Sequence, residues 1–137
     1  MLIFNMLDPR EFNPLTRRII GVAIEVHKTL GCGFLEQVYQ KAMFLELRES
    51  KISFDAHPQV IVKYKDQNIG YYIPDFLISG LVVLEIKAQE RIDPEQVKSQ
   101  IINYLVATAV PVGIYLNFGK PSLEFKRYLI PRKFQTK

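Results

Sequence analysis

The sequence predicts an α/β fold in which a mixed central β-sheet is flanked by helices. Three observations lead there. Two helical patterns are followed by three strand-like segments that read as antiparallel hairpins. A capped helical pattern then separates a strand ending near Ala88 from an apolar run at 112–118, the order of a parallel βαβ crossover. Finally, 137 residues, 48% of them apolar, can bury one core, and the simplest organisation is a single domain over 1–137.

In chain order, residues 1–12 show no period and read as a loose N-terminal arm. A helix should begin between Asn13 and Thr16, both good N-cap types, and run to Leu30. Ile19, Ala23, Val26 and Leu30 form its apolar stripe, and Gly31 supplies a stop. His27 on this helix reads as a partly buried structural histidine. A second helix is expected from Leu35 to about Ser50, with Leu35, Val38, Ala42 and Leu45 as its core face. A strand follows at Gln59–Tyr64, and Lys65-Asp66-Gln67-Asn68 is a polar turn. Asp93 caps a third helix with Pro94 at its first position and Gln96 at the capping-box position. Val97, Ile101, Leu105 and Thr108 should face inward. Val112–Phe118 reads as a buried strand and Leu123–Ile130 as an edge strand with one wetter face. Residues 131–137, with Arg132, Lys133 and Lys137, form a basic tail.

Composition bounds the function. No apolar run approaches the ~20 residues that span a bilayer, and the opening residues lack the order of a signal peptide. One cysteine, Cys32, excludes an internal disulfide and a multi-cysteine zinc site. A cytoplasmic protein without a membrane partner is expected. The net charge of +4 is compatible with a polyanionic partner. Arg17, Arg18, Lys28, Lys41, Lys63 and Lys65 are candidate phosphate contacts, although each alone fits an ordinary solvated surface.

The chemistry concentrates in Tyr71–Ala88, YYIPDFLISGLVVLEIKA, read as two strands joined at Ser79-Gly80-Leu81. Its apolar, β-branched run is that of strands buried on both faces. Asp75, Glu85 and Lys87 interrupt it. Glu85 and Lys87 alternate onto one face with Val83, roughly 6.5–7 Å apart. A three-residue loop pairs Ile78 with Val82 and sets Asp75 opposite Glu85. A two-residue loop would set Asp75 opposite Leu84, on the other face. Gly80 can supply the positive φ that the three-residue loop needs, so the first register is expected. It brings two carboxylates to about 4.5–5.5 Å at Cβ, where their repulsion is on the order of 3 kcal/mol at an effective dielectric near 20. Lys87 or a divalent cation would relieve it. Spacing alone leaves open both a metal site and a buried salt-bridge cluster that only sets register.

Pro74-Asp75, nine residues, then Glu85-Ile86-Lys87 resembles the signature of the PD-(D/E)XK nuclease superfamily. Gly33-Phe34-Leu35-Glu36-Gln37-Val38-Tyr39 spells G-x-x-E-x-x-Y and resembles the bacterial and archaeal family named after that motif, within the same superfamily. The segments AIEVHKTLG and INYLVAT are also similar to it. Gln100 and Tyr104, four apart on one helix side, resemble the Q-x-x-x-Y motif of RecB-type and related nucleases.

The resemblance implies a restriction-endonuclease-like core and a Mg²⁺- or Mn²⁺-dependent nuclease acting on DNA. It implies that Asp75, Glu85 and the Ile86 carbonyl ligate the ion, that Lys87 orients the attacking water, and that Glu36 holds a water or a second ion. Gln100 and Tyr104, with Tyr39, would flank substrate. So small a chain leaves little room for a separate recognition element, so a homodimer or larger complex is expected. A catalytically inactive module of the same fold, binding nucleic acid or a protein, is the alternative.

Overall fold

The computed structural model describes residues 13–134. The loose arm expected over 1–12 and the end of the basic tail lie outside the described residues. Helix α1 spans Asn13–Leu30 and α2 spans Glu36–Glu49. Strands β1 (Phe54–Ala56), β2 (Val60–Tyr64), β3 (Gln67–Tyr72), β4 (Phe76–Ile78) and β5 (Val82–Lys87) follow. Helix α3 covers Pro94–Thr108, and β6 (Val112–Asn117) and β7 (Glu124–Leu129) complete the strands before a 3₁₀ turn at Arg132–Phe134.

Five strands form one sheet in the order β1-β4-β5-β6-β7, in which only the β5–β6 pair is parallel. Helix α3 makes that parallel connection. The Asp93 side chain accepts from the Glu95 N–H at 3.1 Å and so caps the helix as expected. Helices α1 and α2 cover one sheet face, where Ile19, Val26 and Met43 pack with Leu84, Ile86 and Ile114. Helix α3 covers the other, where Ile101 and Leu105 pack with Val83 and Tyr115. Burial on both sides explains why all six residues of β6 are buried.

The central turn adopts the register expected from the three-residue reading, with Ile78 opposite Val82. Ser79 and Gly80 both have positive φ, 53° and 69°, and the Leu81 N–H donates to the Ile78 carbonyl at 2.9 Å. The tight turn is therefore two residues long, and Leu81 is the extra residue that sets the alignment.

Three expectations fail. The segment from Tyr71 to Ile78 is not one strand of the central sheet. Strand β3 ends at Tyr72 and pairs with β2 in a separate two-stranded sheet, and Tyr71 and Ile73 are 57% and 50% exposed. Pro74 makes the break, having no N–H for a ladder and a fixed φ. The short strand β1, unmarked in the sequence, takes the place beside β4 that the third antiparallel strand was expected to fill. The fully buried residues of α2 are Tyr39, Met43 and Leu47; of the expected face, Ala42 packs partly buried against the core, whereas Leu35 and Leu45 are exposed. Both sets recur at helical spacing, so periodicity does not choose between them. Docking does: the Tyr39 ring stacks on Phe118 at 4.6 Å, which turns Leu45 outward, and Leu35 lies before the helix.

Helix α3 lies close on the sheet because Gly113 has no side chain. A methyl group there would come within 2.4 Å of Ile101 Cγ2. Gly113→Ala is expected to cost about 1–3 kcal/mol through overpacking, measured as a lower midpoint of urea unfolding.

Candidate active site

The alternation of hydrogen bonds along β5 decides how the site is built. Leu81 and Lys87 direct their carbonyls to the β6 side, accepting from the N–H groups of Val112 and Phe118. The even-numbered residues therefore face β4. That strand starts only at Phe76, opposite Leu84, so Ile86 lies beyond its end. A continuing ladder would pair Ile86 with Pro74, which has no N–H to give to the Ile86 carbonyl. The Ile86 N–H instead donates to Asp75 Oδ2 at 2.7 Å. A carboxylate thus stands in for a strand, and it does so beside Glu85 and Lys87.

Asp75 is held from other sides too. Gln40 Nε2 of α2 donates to Asp75 Oδ1 at 3.0 Å, and the His57 N–H donates to the Asp75 carbonyl at 2.9 Å. His57 Nε2 lies 4.0 Å from Asp75 Oδ1.

The electrostatics show which groups share the pocket. Burial and then the Asp75 charge raise the Glu85 carboxyl to about 8 against the pull of Lys87, with the hydrogen bond to Asp75 and the Glu36 charge adding smaller rises. Burial also raises Glu36, opposed by Lys87 and reinforced by Asp75. Glu36, at the start of α2, therefore lies within electrostatic reach of Asp75, Glu85 and Lys87. The Lys87 ammonium opposes both rises, but burial, ahead of the neighbouring carboxylate charge, is what favours the protonated form of Glu85.

The remaining candidates fall in different places. Gln100 is exposed and donates to the Tyr104 hydroxyl at 2.8 Å. Tyr104 stacks on Tyr72, with ring centroids 4.0 Å apart. The Tyr72 hydroxyl is raised by burial and then by the Glu85 charge, so this aromatic pair links α3 to the carboxylates. Tyr39, expected to flank substrate, is instead fully buried. Its hydroxyl donates to the Gly31 carbonyl and accepts from the Phe34 N–H, which pins the glycine loop against α2. His27 meets the Lys120 carbonyl at 2.9 Å, a structural contact. Arg18 Nη2 donates to the Ser50 carbonyl and thereby holds the end of α2.

The sequence reading missed Gln40, His57 and Tyr72. Gln40 is one helical turn beyond Glu36, and that spacing was the available signal. His57 and Tyr72 carried none, because their approach depends on how the β2–β3 ribbon folds back.

Among the described residues, no three His, Cys, Asp or Glu side chains are grouped to hold one metal ion. The expected ligand set of Asp75, Glu85 and Glu36 is thus not assembled; the Lys87 charge acts on Glu36 as it does on Glu85. Asp75 and Glu85 remain as a pair, with the Ile86 carbonyl beyond the end of the ladder.

The sequence profile of the PD-(D/E)XK nuclease superfamily matches residues 13–128. The chain belongs to the PD-(D/E)XK nuclease superfamily. As a member of it, the chain has the restriction-endonuclease-like core: a mixed sheet between helices. No curated relative matches the chain. Among solved structures it is similar to an alkaline exonuclease from Laribacter hongkongensis, at 13% identity and a TM-score of 0.49. The similarity covers 71% of this chain and 56% of the exonuclease, less than two thirds of that protein. No described helix of this superfamily member is long and apolar enough to cross a membrane.

Glu85 makes metal-free stability depend on pH. In the unfolded chain it ionises near its ordinary value, whereas the folded chain keeps the proton until about pH 8. The native state binds more protons across that interval, so stability falls as pH rises through it. In EDTA, thermal midpoints should decline between about pH 5 and 8, and Glu85→Gln should remove most of that decline.

Proposed function

We propose that this superfamily member is a nuclease of the G-x-x-E-x-x-Y branch that hydrolyses DNA phosphodiester bonds with Mg²⁺ or Mn²⁺. The observation that carries the reading is the meeting of Asp75, Glu85 and Lys87 where β4 stops short of Ile86.

The donor set fits a hard cation. Mg²⁺ typically takes one or two carboxylates and completes its shell with water and substrate phosphate, so a third protein carboxylate is not required. Asp75, Glu85 and the Ile86 carbonyl would hold it, and the excess negative charge favours its entry. Bound there, the ion would polarise the phosphodiester and stabilise charge on the leaving oxygen. Lys87 hydrogen-bonds the attacking water and favours its hydroxide-like form as the new P–O bond develops and the ester bond breaks. Glu36 holds a water from the helix side. Tyr104 and Gln100, backed by Tyr72, border the path of the strand.

The other reading is a charge cluster that only fixes strand register, within a module that binds without cutting. Its support is that both Asp75 oxygens already accept hydrogen bonds. Titration calorimetry with Mn²⁺ separates the two, because a closed network takes up no ion.

The test is cleavage of single-stranded, duplex and branched DNA with Mg²⁺ or Mn²⁺. Asp75→Ala should abolish cleavage, and equal behaviour of wild type and variant on every substrate would sink the reading. Lys87→Ala should slow cleavage about 10²-fold or more while leaving salt-dependent DNA binding in EDTA within about two-fold, since Lys87 is one charge among many.

A further inference from the structure

Beside Asp75 lies a cavity of about 530 Å³ between α2 and the β1–β2 connection, within the ~300–1,000 Å³ range of small-ligand sites. Phe44 and His57 present ring surfaces to it above the buried Phe76, and the amides of Gln37 and Gln40 and the ammonium of Lys41 add polar groups. Helix geometry explains the arrangement. Glu36 and Gln40 are one turn apart and face the carboxylates. Gln37, Lys41 and Phe44 form the adjacent stripe and face the cavity.

Two links join the cavity to the site. Gln40 lines it and donates to Asp75 at 3.0 Å. His57 lines it as well, and is held at φ 51°, a left-handed conformation that costs a non-glycine residue free energy. Its N–H on the Asp75 carbonyl maintains that conformation and keeps the ring at the cavity wall.

We propose that this cavity receives an unstacked base of the nucleic-acid substrate, with the adjoining phosphate at Asp75 and Glu85. The proposal rests on the nuclease reading and extends it to a substrate class. Ring walls suit the face of any base, and amides that both donate and accept suit its edges. Lys41 makes no ion pair among the described residues and lies exposed, where a neighbouring phosphate can meet it. A base inside a duplex must first be unpaired and unstacked, whereas one in a single strand, flap or frayed end need not be. The favoured substrates are therefore strands with unpaired nucleotides.

The test uses the full chain in EDTA, which prevents cleavage, with single-stranded DNA carrying 2-aminopurine. Wild type should change the probe's fluorescence on binding. Phe44→Ala should lose that change and bind about five-fold more weakly or worse, and Phe44→Trp should retain both. Gln37→Leu, at an exposed helix position that folding does not need, should also weaken binding. Wild-type affinity and signal in both Phe44→Ala and Gln37→Leu overturn the proposal. So does equal affinity for a fully paired blunt duplex. The same proteins are then given Mg²⁺. If wild type cuts while both variants bind and signal normally, the cavity assignment falls and the nuclease reading stands. If the base signal depends on Phe44 yet no metal yields cleavage, the nuclease reading falls and the cavity remains a base site.

Discussion

One hydrogen bond organises this molecule's chemistry: the Ile86 N–H on the carboxylate of Asp75. A strand end normally leaves its next N–H to water or to another strand. Here the chain stops the neighbouring strand with Pro74 and offers a side chain instead. The same substitution brings Asp75 to Glu85, and Pro74 has no N–H to offer the Ile86 carbonyl. Site geometry and strand termination are thus one structural event. Moving Pro74 would disturb both.

The second constraint is charge. Three carboxyl groups and one lysine share a partly buried volume, and burial is the largest influence on both Glu36 and Glu85. Such an arrangement is costly unless a cation, a proton or a polyanion-bound ion balances it. In the metal-free molecule the raised Glu85 carboxyl favours its protonated form, which lowers that cost. Binding a divalent ion would release that proton, so ion uptake and local pH are linked. The hydrogen bonds from Gln40 and from the Ile86 N–H keep the Asp75 side chain in place whichever form Glu85 takes.

The third is the division of labour on helix α2. Its inner stripe, Tyr39, Met43 and Leu47, anchors the helix through the stack on Phe118. A second stripe brings Glu36 and Gln40 to the carboxylates, and a third lines the neighbouring cavity. On the opposite side of the sheet, α3 comes close over Gly113 and carries Tyr104 onto Tyr72. The carboxylates therefore lie between two supports that share no residue.

Local signals in the sequence were enough for the α/β layout, the three helices, the Asp93 cap and the register that sets Ile78 opposite Val82. Each depends on near neighbours: helical spacing, a capping side chain, a glycine able to take positive φ. The resemblance to the superfamily was legible for the same reason, since Pro74, Asp75, Glu85, Ile86 and Lys87 lie close together in the sequence. The face that α2 buries, the separation of the β2–β3 ribbon, the short strand β1, and the roles of Tyr39, Gln40, His57 and Tyr72 were decided only in three dimensions. They depend on which surface docks on which, and two apolar stripes of equal period look alike until a partner such as Phe118 covers one of them.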